Sequence, residues 1–200
     1  TPHGCYSRGP SASPKNRGSF VRELLEKRVI LVVGKGGVGR STLAAAIAKA
    51  GAEVGKRTLI MEIGEPDQSY HATARLLGGE RFTPTPTPLG PNLEGALLHS
   101  REGQGLFLHT VLPKAIPVRR VLGSTALSSL LDAAPSLNEM GVFYHLLDRI
   151  KATTPKGPPR HDLLVVDMPA TGHALALTSL PTVLLKLLPD GAISELLREG

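Results

Sequence analysis

The chain has 200 residues, enough to bury the core of a full domain. Its single cysteine, Cys5, excludes a disulfide scaffold and a thiolate metal site built by this chain alone. Hydrophobic residues make up 41 % and charged residues 20 %, as in globular proteins, and no apolar run reaches the ~20 residues of a membrane-spanning helix. The formal net charge of +6 would suit nucleic-acid binding, so the position of that charge matters.

The excess positive charge is concentrated at the start of the chain. Residues 1–28 hold six Lys or Arg and two Glu, and therefore four of the six excess charges. Residues 1–19 are rich in Ser, Pro and Gly, which predicts a disordered basic leader, with a nucleic-acid-binding arm as the alternative. Aromatic residues make up 4 % and tryptophan is absent, which argues against a base-stacking surface. No secretory signal is recognisable, so we expect a cytoplasmic protein without direct nucleic-acid binding.

The first elements after the leader alternate between helix and strand. A short amphipathic helix is predicted over Phe20–Lys27, and five consecutive apolar residues predict a buried parallel strand over Val29–Val33. An alanine-rich helix over Ser41–Val54 and a second buried strand over Thr58–Ile63 follow. This order is the unit of a parallel α/β sheet, so residues 20–200 are predicted to form one α/β domain.

Proline-rich loops flank a leucine-rich stretch in the middle of the chain. Alternating prolines predict a loop over Phe82–Pro91, which is followed by a predicted strand over Leu93–His99. The leucines of residues 102–151, interrupted by prolines, predict a helical insertion with breaks. A second loop over Thr154–Arg160 leads to a buried strand over Leu163–Asp167 that ends in a carboxylate.

The glycine-rich segment between the first strand and its helix matches a phosphate-binding loop. Gly34, Gly39 and Ser41 fall on the pattern G-x-x-x-x-G-K-[ST]. Glycines let consecutive backbone N–H groups turn toward an anion, and the helix that follows adds its positive N-terminal end. We expect the Ser41 hydroxyl to bind Mg²⁺ and Thr42 to reach the α-phosphate. The alternative is a glycine-rich turn without a ligand.

Arg40 stands where this pattern has lysine. Guanidinium is larger and more planar than the ammonium group that follows the γ-phosphate through transfer. The difference is compatible with nucleotide binding and leaves hydrolysis open.

The segment KGGVGRST resembles the deviant phosphate loop K-G-G-V-G-K-[ST]-T of one branch of phosphate-loop ATPases. In that branch the early lysine, here Lys35, typically reaches the partner's ATP across a nucleotide-sandwich homodimer. A solvated loop lysine is the alternative. The resemblance implies that ATP is cradled by the residues of this loop, namely Gly34, Lys35, Gly36, Gly37, Val38, Gly39, Arg40, Ser41 and Thr42.

A second motif begins where the last buried strand ends. Asp167 stands at the carboxyl end of a parallel strand beside the phosphate loop, where a carboxylate is placed to hold Mg²⁺ through water. The Pro-Ala-Thr-Gly turn after it is a candidate switch that would rearrange around a γ-phosphate. His173 is either a contact of this switch or a capping residue.

The segment from Asp167 to Pro181 closely resembles the D-x-x-x-T-G-H-x-L-x-x-x-x-x-P switch of the arsenical pump-driving and tail-anchored-protein-targeting ATPases. The likeness runs from about Val29 to the end of the chain. It implies a three-layer phosphate-loop NTPase fold with a mainly parallel sheet, helices on both faces and a helical insertion. It also implies Mg²⁺-dependent binding and hydrolysis of ATP, a homodimer with nucleotide at its interface, and a protein client or membrane partner. A non-hydrolysing nucleotide sensor and a partition-type ATPase of the same branch are the alternatives.

The first switch of that family, D-P-A, is altered in this chain. The second strand continues as MEIGEPDQ, and Gly64 or Glu65 meets the family's water-positioning aspartate, depending on one residue of gap. Glu65 is the preferred candidate for a catalytic role beside Lys35 and Arg40, with a solvated loop acid as the alternative. The thiols that bind arsenite or zinc in better-known members have no counterpart.

Two leucine-rich stretches, Leu106–Leu147 and Leu180–Pro189, predict either a groove for an apolar client or ordinary core. The chain has three methionines, few for a promiscuous groove, so packing against the sheet is the expectation. After Pro181 there is little sequence for the strands that would enclose the adenine. We therefore expect the chain to be the N-terminal portion of a longer protein.

Overall fold

The computed structural model describes residues 14–68, 70–111 and 135–169. Its helices are α1 Pro14–Leu25, α2 Arg40–Glu53, α3 Ala72–Leu76, α4 Ser100–Val111 and α5 Pro135–Lys151. Its strands are β1 Val29–Val32, β2 Thr58–Ile63, β3 Thr87–Gly90, β4 Leu93–Leu98 and β5 Leu163–Asp167.

The strands of the described residues form one sheet in the order β1-β5-β2-β4-β3. Neighbours among β1, β5, β2 and β4 are parallel, and β3 pairs antiparallel with β4. Because the parallel strands end at one edge of the sheet, the loops after β1, β2, β4 and β5 meet there. We call this the carboxyl edge and the opposite one the amino edge.

Alternate residues of each strand contribute to two separate cores. On one face, Val165 packs with Ala44 and Ala48 of α2, whose small side chains bring the helix close to the sheet. On the other face, Val166 packs with Phe143 of α5. The sheet therefore has helices on both faces, and the predicted α/β fold with a mainly parallel sheet is confirmed.

Helices α4 and α5 cross at two glycines. A Cβ on Gly103 would lie 1.6 Å from the carbonyl oxygen of Gly141, and a Cβ on Gly141 would lie 2.2 Å from the carbonyl oxygen of Ser100. Neither position has room for a side chain, so the two backbones are in direct contact. The rings of Phe107 and Tyr144 add an edge-to-face contact with centroids 5.1 Å apart.

The parallel strands lie within one residue of their predicted bounds, whereas the first helix does not. It begins at Pro14, so the predicted start at Phe20 is wrong by six residues. The prediction followed the apolar pattern from Phe20, but proline is well tolerated in the first turn of a helix because it needs no hydrogen-bond partner there. Residues 1–13 of the predicted leader lie outside the described residues.

The predicted loop over Phe82–Pro91 contains strand β3, which is a correction. Proline is excluded from central strands but is tolerated in the outermost strand of a sheet, which β3 is among the described residues. Strand β3 pairs with β4 through a register shift between Pro88 and Gly90. The middle of the predicted insertion, residues 112–134, and the stretch Leu180–Pro189 lie outside the described residues. Among the described helices, none combines the length and apolar character needed to cross a membrane.

Candidate nucleotide site

The glycine-rich loop joins β1 to α2 at the carboxyl edge. Gly37 and Gly39 have φ angles of 78° and 85°, which residues with a side chain rarely adopt. Gly39 occupies the N-cap position of α2 and offers no side-chain oxygen, so the first backbone N–H groups of the helix have no acceptor from that residue. A Cβ on Gly36, Gly37 or Gly39 would meet nothing within 4 Å. The loop therefore has the conformation and the space to receive an anion.

The side chains of this loop differ in exposure. Lys35 is exposed, and Val38 has 65 % of its surface exposed. Ser41 is half-buried in the first turn of α2, and Thr42 is exposed. An exposed Lys35 suits both of its predicted readings, a contact to a second copy of the chain and a solvated lysine.

Arg40 connects the phosphate loop to β5. Its guanidinium Nη1 donates a hydrogen bond to the backbone carbonyl of Met168, the residue after Asp167. The stem of Arg40 passes over Gly34, where a Cβ would lie 3.1 Å from its Cγ. Guanidinium has five N–H donors, so this contact leaves others for an anion.

Two carboxylates stand side by side at the ends of neighbouring strands. Glu62 of β2 and Asp167 of β5 are register partners in the parallel pair. Asp167 is buried, with 7 % of its surface exposed, and Glu62 is half-buried. Burial raises the pKa of Glu62, and the charge of Asp167 adds to the rise. A cation at this edge would relieve the repulsion between the two acids.

Helix α3 binds both carboxylates. The backbone N–H groups of Ala72 and Thr73 each donate to an oxygen of Glu62 at 3.2 Å. The Thr73 hydroxyl donates to Oδ2 of Asp167 at 2.7 Å. The other oxygen, Oδ1 of Asp167, is buried and has no hydrogen-bond partner among the described residues.

The unpaired oxygen of Asp167 fits a magnesium site. A buried carboxylate oxygen without a donor is costly, and Mg²⁺ takes oxygen ligands. Within the described ranges no three His, Cys, Asp or Glu side chains group around one point. Proteins usually bind Mg²⁺ through one or two carboxylates together with substrate phosphates. Asp167 and the Ser41 hydroxyl are the residues predicted to hold it.

Glu65 lies on the other side of β2 from Asp167. Its side chain is 64 % exposed, and Oε2 lies 2.7 Å from Nε2 of His99, a buried residue directly after β4. The structure thus brings Arg40 to the end of β5, beside Asp167, but directs Glu65 toward β4. Glu65 is thus an exposed acid with a buried partner, and its catalytic role stays a prediction.

The sequence did not predict the contact between His99 and His145 of α5. Nε2 of His145 lies 3.1 Å from Nη2 of Arg149, and Nδ1 lies 3.3 Å from the carbonyl oxygen of His99. Because arginine can only donate, Nε2 accepts from Arg149, and Nδ1 also lies 3.2 Å from the backbone nitrogen of His99, whose N–H donates to it. Burial, and then the charge of Arg149, lowers the pKa of His145. The spacing of four residues between His145 and Arg149 is the only feature of the sequence that could have indicated that these two side chains meet.

The amino edge of the sheet carries charges of both signs. Asp162 accepts hydrogen bonds from the guanidinium of Arg57 at 2.6 and 2.9 Å and from its backbone N–H at 3.0 Å. Glu94 lies 2.7 Å from Nε2 of His161 and 3.2 Å from Nη2 of Arg160. A cavity of about 230 Å³ lies beside these pairs, far along the strands from the glycine loop.

The second switch is described only at its start. Asp167 and Met168 are in place, whereas the predicted switch residues Thr171, Gly172 and His173 lie outside the described residues.

Comparison with known proteins decides the family. Residues 27–198 match the sequence profile of the family described as anion-transporting ATPase. This chain belongs to that family. The resemblance predicted from the two phosphate motifs is therefore confirmed, and membership supports an ATP-related function.

The three similar proteins that follow are longer than this chain. It is 32 % identical over 162 residues to an uncharacterised protein of Streptomyces coelicolor, covering 80 % of this chain and 39 % of that protein. It is 31 % identical over 159 residues to a Prosthecochloris vibrioformis protein named "Putative arsenical pump-driving ATPase", covering 78 % and 36 %. An "ATPase ASNA1 homolog 2" of Paramecium tetraurelia is 24 % identical over 163 residues, covering 78 % and 45 %. The chain thus spans less than half the length of these relatives.

Proposed function

We propose that this chain binds Mg²⁺-ATP at the carboxyl edge of the sheet and hydrolyses it, as the ATPase part of a protein that couples nucleotide state to a partner. The main support for the proposal is Oδ1 of Asp167, which is buried and has no hydrogen-bond partner among the described residues. Asp167 directly precedes Met168, whose backbone carbonyl accepts a hydrogen bond from Arg40 of the phosphate loop. Family membership supports the nucleotide. A cytoplasmic location belongs to the same proposal.

The roles of the residues follow from their places. Backbone N–H groups of the loop from Gly34 to Thr42 would bind the phosphates, and Ser41 and Asp167 would hold Mg²⁺. Bound Mg²⁺ supplies positive charge that offsets the phosphate oxygens. Lys35 and Arg40 add cationic groups from the loop itself.

Hydrolysis requires water to attack the γ-phosphorus in line with the leaving oxygen. A new P–O bond forms, the bond from the γ-phosphorus to the bridging oxygen breaks, and ADP and phosphate leave. We assign the orientation of this water, and the acceptance of its proton, to Glu65, which is exposed at the carboxyl edge and held by His99. A homodimer in which Lys35 reaches the nucleotide of a second copy fits the exposure of the loop.

The assay that tests the enzyme compares γ-phosphate release by the parent chain and by Arg40→Lys. We expect turnover by the parent and at least equal turnover by the variant, because lysine is the smaller and more mobile cation. Arg28→Lys is the matched control, since the Arg28 guanidinium also donates to a backbone carbonyl, that of Ile150, away from the loop. Turnover that is absent in the parent and appears in Arg40→Lys would contradict hydrolysis and preserve binding.

A non-hydrolysing nucleotide sensor is the second candidate. The hydrogen bond from Arg40 to the Met168 carbonyl favours the sensor. A guanidinium bound directly after β5 would respond to changes in the position of that strand end, and it would not follow the phosphate as it leaves. Calorimetry separates the two functions: both require Mg²⁺-ATP to bind, and the sensor alone predicts that no phosphate is released. Folded parent chain that binds no Mg²⁺-ATP contradicts both.

A further inference from the structure

Thr73 is the one residue of α3 that contacts both acids at the carboxyl edge. Its backbone N–H donates to Glu62 at 3.2 Å and its hydroxyl donates to Asp167 at 2.7 Å. Thr73 is itself fully buried, so no water competes for its hydroxyl. One side chain therefore fixes the arrangement of two neighbouring carboxylates.

The contacts of α3 occupy both carboxylate oxygens of Glu62 but only one of Asp167. Both oxygens of Glu62 accept backbone N–H groups from the first turn of α3, groups that have no acceptor within the helix. Asp167 uses Oδ2 for the Thr73 hydroxyl and keeps Oδ1 unpaired among the described residues. Glu62 is thus committed to the fold, and Asp167 retains a buried oxygen for a ligand.

We propose that Thr73 is a positioning residue for the divalent cation, which orients Asp167 so that Oδ1 remains available while Glu62 is held by α3. The inference rests on the proposed function. A hydroxyl bond to Oδ2 resists rotation of the carboxylate about its Cβ–Cγ bond, and such supporting contacts typically affect metal affinity by 10–100-fold. Without that bond the two acids could rearrange around the like charge they share.

The experiment measures ATP affinity by calorimetry in EDTA and over a series of Mg²⁺ concentrations. Thr73→Val removes the hydroxyl and retains the backbone N–H that Glu62 accepts. We expect the Mg²⁺ concentration for half-maximal enhancement of ATP binding to rise about tenfold, with the affinity in EDTA within twofold of the parent. Thr73→Ser, which restores the hydroxyl, should return to the parent value.

Thr58→Val is the matched control. Thr58 is equally buried, and its hydroxyl donates to the Lys56 carbonyl at 3.0 Å, but it lies at the amino edge. Its loss should lower Tm and leave the Mg²⁺ dependence unchanged, which separates positioning from general destabilisation. If Thr73→Val does not fold, Thr73→Cys serves in its place, because a thiol is a much weaker donor than a hydroxyl.

Three outcomes would overturn the inference. The first is a Thr73→Val chain with the parent's Mg²⁺ dependence, and the second is a Thr73→Ser chain that behaves like Thr73→Val. The third is parent chain that binds ATP equally with and without Mg²⁺, which leaves nucleotide binding intact. Folded parent chain that binds no ATP instead contradicts the proposed function, and the inference falls with it.

Discussion

The two edges of the sheet use acidic side chains in opposite ways. At the amino edge, hydrogen bonds from the guanidinium of Arg57 lower the pKa of Asp162 to about 2. At the carboxyl edge, burial raises the pKa of Glu62, and Asp167 keeps an oxygen without a donor. The acid at the amino edge is paired with a basic side chain, whereas Glu62 and Asp167 have only backbone and hydroxyl groups as hydrogen-bond donors among the described residues.

Glu94 shows that basic partners can outweigh the effect of burial on a carboxyl pKa. Burial on its own acts to raise the pKa of Glu94, but hydrogen bonds from His161 and Arg160 outweigh it, and the pKa is lowered. Glu62 is more deeply buried than Glu94 and has no basic side chain among its hydrogen-bond donors in the described residues. A raised pKa at one edge and lowered values at the other therefore mark where the chain leaves negative charge uncompensated.

The largest expected effect concerns chemistry at the carboxyl edge. Glu65→Gln should reduce γ-phosphate release about 100-fold, because the amide cannot accept a proton from the attacking water. ATP affinity should remain within twofold. Glu80→Gln, which neutralises another exposed acid, should behave like the parent in the same assay. Parent-like turnover by Glu65→Gln would remove Glu65 from the mechanism.

The same substitution, Asp to Asn, should affect ATP binding at Asp167 and thermal stability at Asp162. Asp167→Asn should weaken the Mg²⁺-dependent part of ATP binding at least tenfold, without lowering Tm, because it removes a charge that faces Glu62. Asp162→Asn should lower Tm and leave ATP binding unchanged, because its partner is Arg57. Calorimetry and thermal unfolding of both variants test this, and equal loss of ATP affinity in the two would refute the division.

The smallest expected effect is pH-dependent stability at the amino edge. Arg57→Met should lower Tm by about 2 °C at pH 7, a modest shift because the pair with Asp162 is partly exposed. The folded-state pKa of Asp162 lies below its unfolded value, so the pair stabilises above about pH 4, and this contribution is lost as the pH falls toward 2. Unfolding curves of parent and variant should converge over that range. A difference that stays constant would show that the packing of Arg57, rather than its charge, is responsible.

Strands β2 and β5 were predictable because they are mostly buried central strands, whereas β1, also predicted to be buried, leaves Leu31 39 % exposed among the described residues. Thr58–Ile63 and Leu163–Asp167 were predicted with their observed bounds, since a mostly apolar run is typical of a buried parallel strand. The edge strand Thr87–Gly90 lacks that signal, because one side of it has no strand among the described residues and it contains proline. The five residues of α3 are too few to show a helical period.

The site was predictable only where its chemistry is local in sequence. The loop from Gly34 to Thr42 carries its function in adjacent residues, as does the carboxylate at the end of β5. Thr73 and Asp167 are 94 residues apart, and His99 and His145 are 46 apart, so no spacing could pair them. These contacts depend on the strand order, which brings β2 next to both β5 and β4.

The glycine crossing of α4 and α5 has a mechanical consequence. Helix α4 begins directly after His99, and its backbone touches that of α5 at Gly103 and Gly141 with no side chain between them. Close-packed backbones transmit displacement with little compression, so the two helices would move together as one rigid unit. A displacement of α5 would therefore reach α4, and the residue directly before α4 is His99, which contacts the carboxylate of Glu65.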